Sequence, residues 1–506
     1  MMMKKRNFIL GGLAIAAATT VGLIACNKNV DKKGDRALTA GVQAVCNCTA
    51  YSGTDSTIST DITSNLRLSA TKHYKLQGLI FVTNGATLTI DAGTTIQGIK
   101  GAPGGGLVVT RGAKLNAVGT ASCPIIFTSD QASPVSGDWS GVVLLGKAQT
   151  NNAGATVEGI NPTNYPGRDL QYGSTDSIVG GVNVNNDNSG TLKYVRIEYA
   201  GYELTTNNEL NGLTLAGVGR GTTIDYVEVF KSNDDAFEFF GGTVNASHII
   251  SVDALDDMFD TDNGYIGNIN FALGLADTSR KDQSQSNGFE NDNMATGDTV
   301  SPTTPRSHPH YANVTIIGVD SLRAITPGTD AKGRTTRYGR AGHMRRNARF
   351  TINNTIVFGY NYGISIDSQL LNVTTSNSLI QYNIGNSTMN NVFSGAYGTP
   401  LPAPGTGPSV GPFSRENNGV AQTGAGFLNI PLPLIAGNSG TGVRSGSANP
   451  FSLGNPYGRP ANGGSILSFY VPNLGQASRP YGAFPNGSDW TQPTDGCTNN
   501  NWTRYK

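Results

Sequence analysis

Two short stretches stand 22 residues apart with the same order of residue types: KSNDDAFEFFGG at 231–242 and DALDDMFDTDNG at 253–264. Each has an acid pair (Asp234–Asp235, Asp256–Asp257), then a Phe followed by an acid (Phe237–Glu238, Phe259–Asp260), and the second adds Asp262. A third version, NGFENDN at 287–293, supplies Phe289, Glu290 and Asp292. Carboxylates gathered in this way have three kinds of chemistry open to them. Several oxygens can hold Ca²⁺, which takes about six to eight oxygen ligands in flexible geometry. Two can share a proton, which raises one pKa and makes an acid–base couple, at about 5–5.5 Å for retaining glycoside chemistry and wider for inversion. Or the acids can stand in water, where a pair about 5 Å apart repels by only about 1 kcal/mol, and serve their own turns through Asx hydrogen bonds.

Which of these applies depends on where the side chains point, and that depends on the elements that carry them. IDYVEVFKSNDDAFE (224–238) aligns without a gap to ASHIISVDALDDMFD (246–260). Upstream, LKYVRIEYAG (192–201) is answered by IDYVEVFKSN at an offset of 32, and Gly85-Ala86-x-Leu88 by Gly112-Ala113-x-Leu115 at an offset of 27. Short alternating strands recurring at this interval, with Gly and Asn at the bends, indicate a repeat architecture whose units must stack to make a core. Two or three strands per turn of a parallel β-helix fit the period; the 40-residue blades of a propeller and the two-residue hairpin signals of a sandwich do not. In a β-helix equivalent positions lie about 4.8 Å apart in successive coils. Phe237, Phe259 and Phe289 then stack inward, and alternation turns Glu238, Asp260 and Glu290 outward. NELNGLTL places Asn211 one coil earlier on the same row, and Arg345 is its candidate basic end. Asp234, Asp235, Asp256 and Asp257 fall at the preceding bend, with Asp262 and Asp292 close by, as candidate metal ligands.

The fold class expected is therefore all-β: a right-handed parallel β-helix over 59–395, followed at 396–506 by a Gly-, Pro- and aromatic-rich region that packs on the solenoid or caps its open end. Residues 27–58 show no sustained period and read as a tether. Charged residues make up 14% of the chain with a net charge of +1, which argues against nucleic acid as a partner. The 66 glycines suit many tight turns.

The start, MMMKKRNFILGGLAIAAATTVGLIAC, has a basic end, an apolar run and a small-residue exit, as an export signal does. Its last four residues, Leu23-Ile24-Ala25-Cys26, resemble the lipobox of bacterial lipoproteins, in which the matching Cys is lipidated. That resemblance implies a signal peptide over 1–26, a lipid anchor on Cys26 and, with Asn27 following, the outer membrane, its face left open. The remaining cysteines, Cys46, Cys48, Cys123 and Cys497, are free to pair in such a compartment, in an order the spacing does not dictate.

The phrases LQGLIFVTNGATLTIDAGTTIQG, WSGVVLLGKA, ELNGLTLAGVGRGTTIDYVEVF, NDDAFEFFGGTVN and GAFPNGSDWTQPTDGCTNNNWTRY resemble a family of exported bacterial right-handed β-helix proteins of pectate-lyase-like fold and unassigned activity. The resemblance runs from about residue 57 onward and departs from the pattern at Cys123 and in HMRRNARF. Because that fold hosts lyases, hydrolases, esterases and adhesins, it does not itself select a function. NDD resembles the paired Asp of β-helix polygalacturonases, but the companion Gly-His-Gly and Arg-x-Lys words are missing; AGHMRRN (341–347) offers only His343, Arg345 and Arg346 in a similar order. His308 and His310 make at most half a metal site, His248 matches Tyr226 and reads as structural, and no GxSxG elbow is present.

Together these readings describe an anchored surface or periplasmic lipoprotein that binds extracellular polysaccharide along an acidic flank, with Ca²⁺ as a stabiliser. A Ca²⁺-dependent lyase or glycoside hydrolase in the same groove and a passive adhesin-like scaffold are the alternatives.

Overall fold

In the computed structural model the described residues are 48–358, apart from 102, 206–207, 277–279, 295–303, 318–326, 347 and 354, together with 364–366, 392–394, 483, 490, 491 and 502–504. Cys26 and the residues before it, expected as a signal peptide, most of the expected tether, Cys46, Cys497 and most of 396–506 lie outside them.

Parallel strands stack coil upon coil in two main sheets, as the repeats predict. Leu192 pairs with Ile224, Ile224 with Ala246, and Leu88 with Leu115, so the aligned words are neighbours in register. Among the described residues one sheet has nine strands. In order along the solenoid they are Leu79–Val82, Gly106–Val109, Gly141–Leu145, Leu213–Ala216, Phe237–Phe240, Phe259–Asp262, Phe289–Asn291, Gly342–Met344 and Ile364–Ile366. The other sheet has fifteen. It already includes Thr54–Ile58, paired with Lys72–Leu76, so the first coil begins inside the stretch expected to be tether. Cys48 is joined to Cys123 with a Cα–Cα distance of 5.4 Å, which ties the start of the described chain to a later coil.

The core lies between the sheets. Phe237 and Phe259 stack with ring centroids 5.7 Å apart, Phe259 and Phe289 follow at 6.1 Å, and Phe289 meets Tyr311 at 4.3 Å. Each buried aromatic contributes about 1.5–3 kcal/mol through area removed from water. These rings fix the direction of their neighbours, because a side chain next to an inward Phe has to leave on the other face.

The long strands of the fifteen-stranded sheet carry a bulge that sequence reading did not anticipate. Tyr194, Tyr226, His248, Phe271 and Asn313 all have φ between 50° and 57° and drop out of the strand pairing. A left-handed backbone is unfavourable for bulky residues. Here stacking offsets it, with Tyr194–Tyr226, Tyr226–His248 and His248–Phe271 ring centroids 4.5, 4.3 and 4.9 Å apart. Trp502 meets Tyr194 and Tyr226 edge-on, and Trp490 does the same to Tyr226 and His248. The described residues near the C-terminus thus lie on the outer face of this sheet.

Candidate functional site

The outward face of the nine-stranded sheet changes character midway along the solenoid. Its central outward row reads Phe81, Val108, Val143, Thr214, Glu238, Asp260, Glu290 and His343. The first three are apolar and fully buried beneath a segment that leaves the solenoid after Leu145, where Val157, Ile160, Leu170 and Tyr172 form a second core on that face. At Glu238 the row turns acidic.

Two residues further along each strand, a second outward row runs Ala216, Phe240 and Asp262, continued by Asp292. A third row lies in the bend two residues before the first residue of each strand and holds Asn211, Asp235, Asp257 and Asn287. Its members are laced to the next coil. Asp235 Oδ1 accepts from Asp257 N (2.8 Å), Asp257 Oδ1 from Asn287 N (2.6 Å), and Asn287 Oδ1 from Arg340 N (2.9 Å).

Glu238, Asp260 and Glu290 therefore stack as the alternation requires, but two other expectations need correcting. Asn211 is not on their row; Thr214 is, paired with Glu238. NELNGLTL has no Phe to mark the start of its strand, and its Asn belongs to the bend. Asn211 nevertheless reaches the row, its Nδ2 donating to Glu238 Oε2. Nor is Arg345 on the row: the basic residue that follows Glu290 there is His343, with Nδ1 3.5 Å from Glu290 Oε2. Arg345 lies two residues on, beside Asp292, where its Nε donates to Asp292 Oδ1 (2.7 Å) and its Nη2 to Glu290 Oε1. Arg346 donates to Asp292 Oδ2 at 2.6 Å.

The picture of acids standing in open water also gives way. Glu238 is 7% exposed, Glu290 8%, Asp235 7% and Asp257 4%. They form the floor of a cavity of about 250 Å³ whose rim comes from outside the repeats. Glu158 reaches it from the segment that covers the apolar half, and Glu209 from a short hairpin of Glu203–Thr205 and Asn208–Glu209. Asp282 and Ser284 come from an excursion before Phe289, and Arg334 from the turn joining Gly328–Thr329 to Thr335–Thr336. In all, ten carboxylates (Glu158, Glu209, Asp234, Asp235, Glu238, Asp256, Asp257, Asp260, Asp282 and Glu290) face two guanidinium groups, Arg334 and Arg345. Both guanidinium groups are engaged, Arg345 as above and Arg334 with Asp330 (2.5 Å). Asp262 and Asp292 do not line the cavity; Asp262 Oδ1 accepts from Asn263 N at 2.5 Å.

Burial, reinforced by neighbouring negative charge, pushes Asp234, Asp235, Glu238, Asp257 and Asp260 well above the usual carboxylate range. The same causes raise Asp256 to about 8 and Asp262 to about 7; Asp292 rises to about 6 by burial, against the pull of Arg345. Glu290 is the exception. Burial alone would raise it, but Arg345, His343 and Arg346 outweigh burial and hold it at about 2. His343 is lowered to about 4 by burial and by Arg340, so its ring is neutral near pH 7. Burial opposes the charge on Arg345, yet Glu290 and Asp292 raise its pKa, so it serves as counter-charge and not as proton acceptor.

Three groups, Asp234/Asp235/Asp256, Asp235/Glu238/Asp260 and Asp257/Asp260/Glu290, each bring carboxylate oxygens within 4.8 Å of one another. Oxygens on opposite sides of a Ca²⁺ with bonds of about 2.4 Å lie about 4.8 Å apart, so the separation suits that ion. Among the described residues, Oδ1 of Asp256 and Oδ1 of Asp260 are enclosed by protein without a hydrogen-bond partner, as oxygens awaiting a cation would be. The buried acidic clusters could thus hold a metal.

Residues 60–400 match the model of the family described as the pectate-lyase like beta helix domain. The chain belongs to this family. No curated protein and no solved structure matches it. Membership accounts for the coils and leaves the chemistry to the residues just described. Glu158, Glu209, Asp282 and Arg334 escape sequence reasoning because they sit in excursions that obey no period. The one signal is an isolated acid in an otherwise uncharged stretch, as in NNAGATVEGINPTNY. His308 and His310 lie with ring centroids 4.4 Å apart, tilted at 46°, but among the described residues no third ligand joins them to make a metal-capable group.

Proposed function

We propose that the acidic cavity is a divalent-cation site, of Ca²⁺ by its all-oxygen ligands, and that it serves a surface-anchored protein in binding extracellular polysaccharide. The observation that carries the proposal is the set of three overlapping carboxylate groups on the cavity floor, sharing Asp235 and Asp260, with enclosed oxygens that no group among the described residues satisfies. A cation neutralises the floor, and its remaining coordination positions are available to sugar hydroxyls and carboxylates. The lipobox at Leu23–Cys26 supports lipid anchoring in the outer membrane. The test is isothermal titration of Ca²⁺ into chelator-treated protein, followed by titration of acidic and neutral polysaccharides. The proposal expects saturable Ca²⁺ binding that is lost in Asp260→Asn and polysaccharide binding that depends on Ca²⁺. A flat Ca²⁺ titration would overturn it.

One observation favours the enzymatic alternative. Asp260 and Glu290 are adjacent on one row, yet their environments drive their pKa values in opposite directions, as in a general acid beside an ionised partner. Release of products that ceases in Asp260→Asn, with Ca²⁺ binding retained in Glu238→Gln, would establish that reading.

A further inference from the structure

The outward face of the fifteen-stranded sheet also changes character along the solenoid. In the earlier coils Gln97 and Thr128 are half-buried. From the strand Gly190–Glu198 onward the outward positions are closed to water. Glu198 and Glu228 lie there, then Ile250, Val252, Leu273 and Leu275 in the next two coils, and none of the six is more than 2% exposed. Stacking coil on coil cannot produce this, because neighbouring coils bury the inward side chains and the strand edges but leave the outward face open.

The described residues of the C-terminal region form a strap across this face, laid against the order of the coils. Ala483 N donates to Thr315 Oγ1 at 3.0 Å, Trp490 meets His248 edge-on at 5.1 Å, Trp502 meets Tyr226 and Tyr194 at 5.6 and 6.0 Å, and Arg504 reaches Glu228 and Glu198. The strap is also tied to itself: Trp490 Nε1 donates to Ala483 O at 2.7 Å, and its ring stacks on Trp502 at 6.1 Å. Its partners are 168 positions apart at Ala483–Thr315, 276 at Arg504–Glu228 and 306 at Arg504–Glu198. The seat exists only after coils have stacked, because each main contact draws on two of them. Trp502 needs the rings of Tyr194 and Tyr226, and Arg504 needs two carboxylates and the rings of Tyr199 and Phe230, which its guanidinium faces at 5.1 and 5.0 Å.

We infer that the strap carrying Ala483, Trp490, Trp502 and Arg504 is a latch that closes after the coils have stacked and joins the strands from Gly190–Glu198 to His310–Ile317 into one cooperative unit. An array of coils held only by its neighbours opens and closes locally, coil by coil. The latch overrides that, because releasing it uncovers apolar side chains in two coils and leaves two buried carboxylates without the cation from Arg504, all at once. The cost of bringing such distant segments together is met in one late step, so a chain that stops before Trp502 has its coils without their lock. The inference is independent of the cation site on the other sheet.

The experiment is amide hydrogen exchange on the full chain, parent against Arg504→Met. Arg504 touches only the coils of Glu198 and Glu228, so the informative strand is His310–Ile317, which meets the strap at Ala483 instead. The latch expects exchange to speed up by a common factor, on the order of a hundredfold, in Gly190–Glu198, Thr223–Phe230 and His310–Ile317 together, with Lys72–Leu76 and Thr95–Gly98 unchanged. Faster exchange confined to the two strands that Arg504 touches, with His310–Ile317 as in the parent, overturns it. The parent alone supplies a second reading should the variant fail to fold. In urea below the unfolding transition, the amides of Ala483, Arg504 and these three strands are expected to converge on one opening event. Strands that open in succession from one end, with Ala483 and Arg504 exchanging independently of each other, overturn the inference.

Discussion

Both sheets of this solenoid carry buried carboxylates on their outward faces, and the two faces treat them differently. On the fifteen-stranded sheet Glu198 and Glu228 are almost wholly buried. Arg504 comes to them from the C-terminus: its backbone N donates to Glu228 Oε2 at 2.6 Å, its Nη1 to Glu198 and its Nη2 to Tyr199 OH at 2.9 Å. Arg196 adds a second cation beside Glu198 at 3.0 Å. On the nine-stranded sheet ten carboxylates surround a cavity whose two guanidinium groups are already engaged. A buried acid that finds its counter-charge within the chain is part of the scaffold. One that does not is an opening for a cation from outside, because uncompensated buried charge is costly.

The largest effect that separates the two faces is expected at Trp502, which is fully buried against Tyr194, Tyr226 and Trp490. Trp502→Ala should cost about 3–5 kcal/mol in urea denaturation and leave Ca²⁺ binding unchanged. A loss of Ca²⁺ affinity would mean that the faces are not independent.

Next comes Ca²⁺ itself. At a concentration one hundred times its Kd it should stabilise the protein by about 2.7 kcal/mol, read as a rise in Tm that chelator reverses. The same Tm in Ca²⁺ and in chelator would make the acidic face as self-sufficient as the other.

A pH series in chelator sharpens the contrast further. Asp292, Asp262 and Asp256 are raised to about 6, 7 and 8, from unfolded values near 3.9. A carboxyl whose folded pKa is raised contributes stability below its unfolded value and loses it as pH climbs through the folded one. The urea midpoint should therefore fall from about pH 4, where the unfolded carboxyls ionise, to about pH 8, where the last of the three folded ones does, without Ca²⁺. Ca²⁺ requires deprotonated ligands, so it should flatten or reverse that fall. A midpoint that does not change with pH in chelator would contradict the burial assigned to these groups.

Arg345→Met should follow, removing the charge that holds Glu290 at about 2. Glu290 contributes stability above its unfolded pKa, lost as pH falls through the folded value; in the variant that contribution should shrink, lowering the urea midpoint at neutral pH. The smallest effect belongs to Glu158→Gln on the exposed rim, expected within about 0.5 kcal/mol of the parent in stability, so that any larger change in Ca²⁺ affinity reports on the cavity alone.

Much of this was legible in order of types along the chain. The 22-residue alignment of 224–238 with 246–260 settles the register that the structure shows at Ile224 and Ala246, and Phe–acid alternation settles which way Glu238 and Asp260 point. Those are local properties: strand side chains alternate, and stacked coils repeat, wherever the chain goes next. Asn211 and Arg345 were misplaced where that local marker failed, in strands that begin on Leu213 and Gly342 instead of Phe.

What an outward acid meets is not local. Val143 and Asp260 occupy the same row, yet one is dry beneath Tyr172 and its neighbours and the other lines a cavity with Glu158, Glu209 and Arg334. The residues that decide between them come from excursions without period or motif: Tyr172 is 29 positions from Val143, and Glu209, Arg334 and Glu158 are 51, 74 and 102 positions from Asp260. The pairing of Cys48 with Cys123, the closing of Glu228 by Arg504 and the enclosure of the acidic floor were all decided by tertiary structure. Solvation and counter-charge depend on every group within a few ångströms, whatever its distance in sequence, and only the folded chain determines which groups those are.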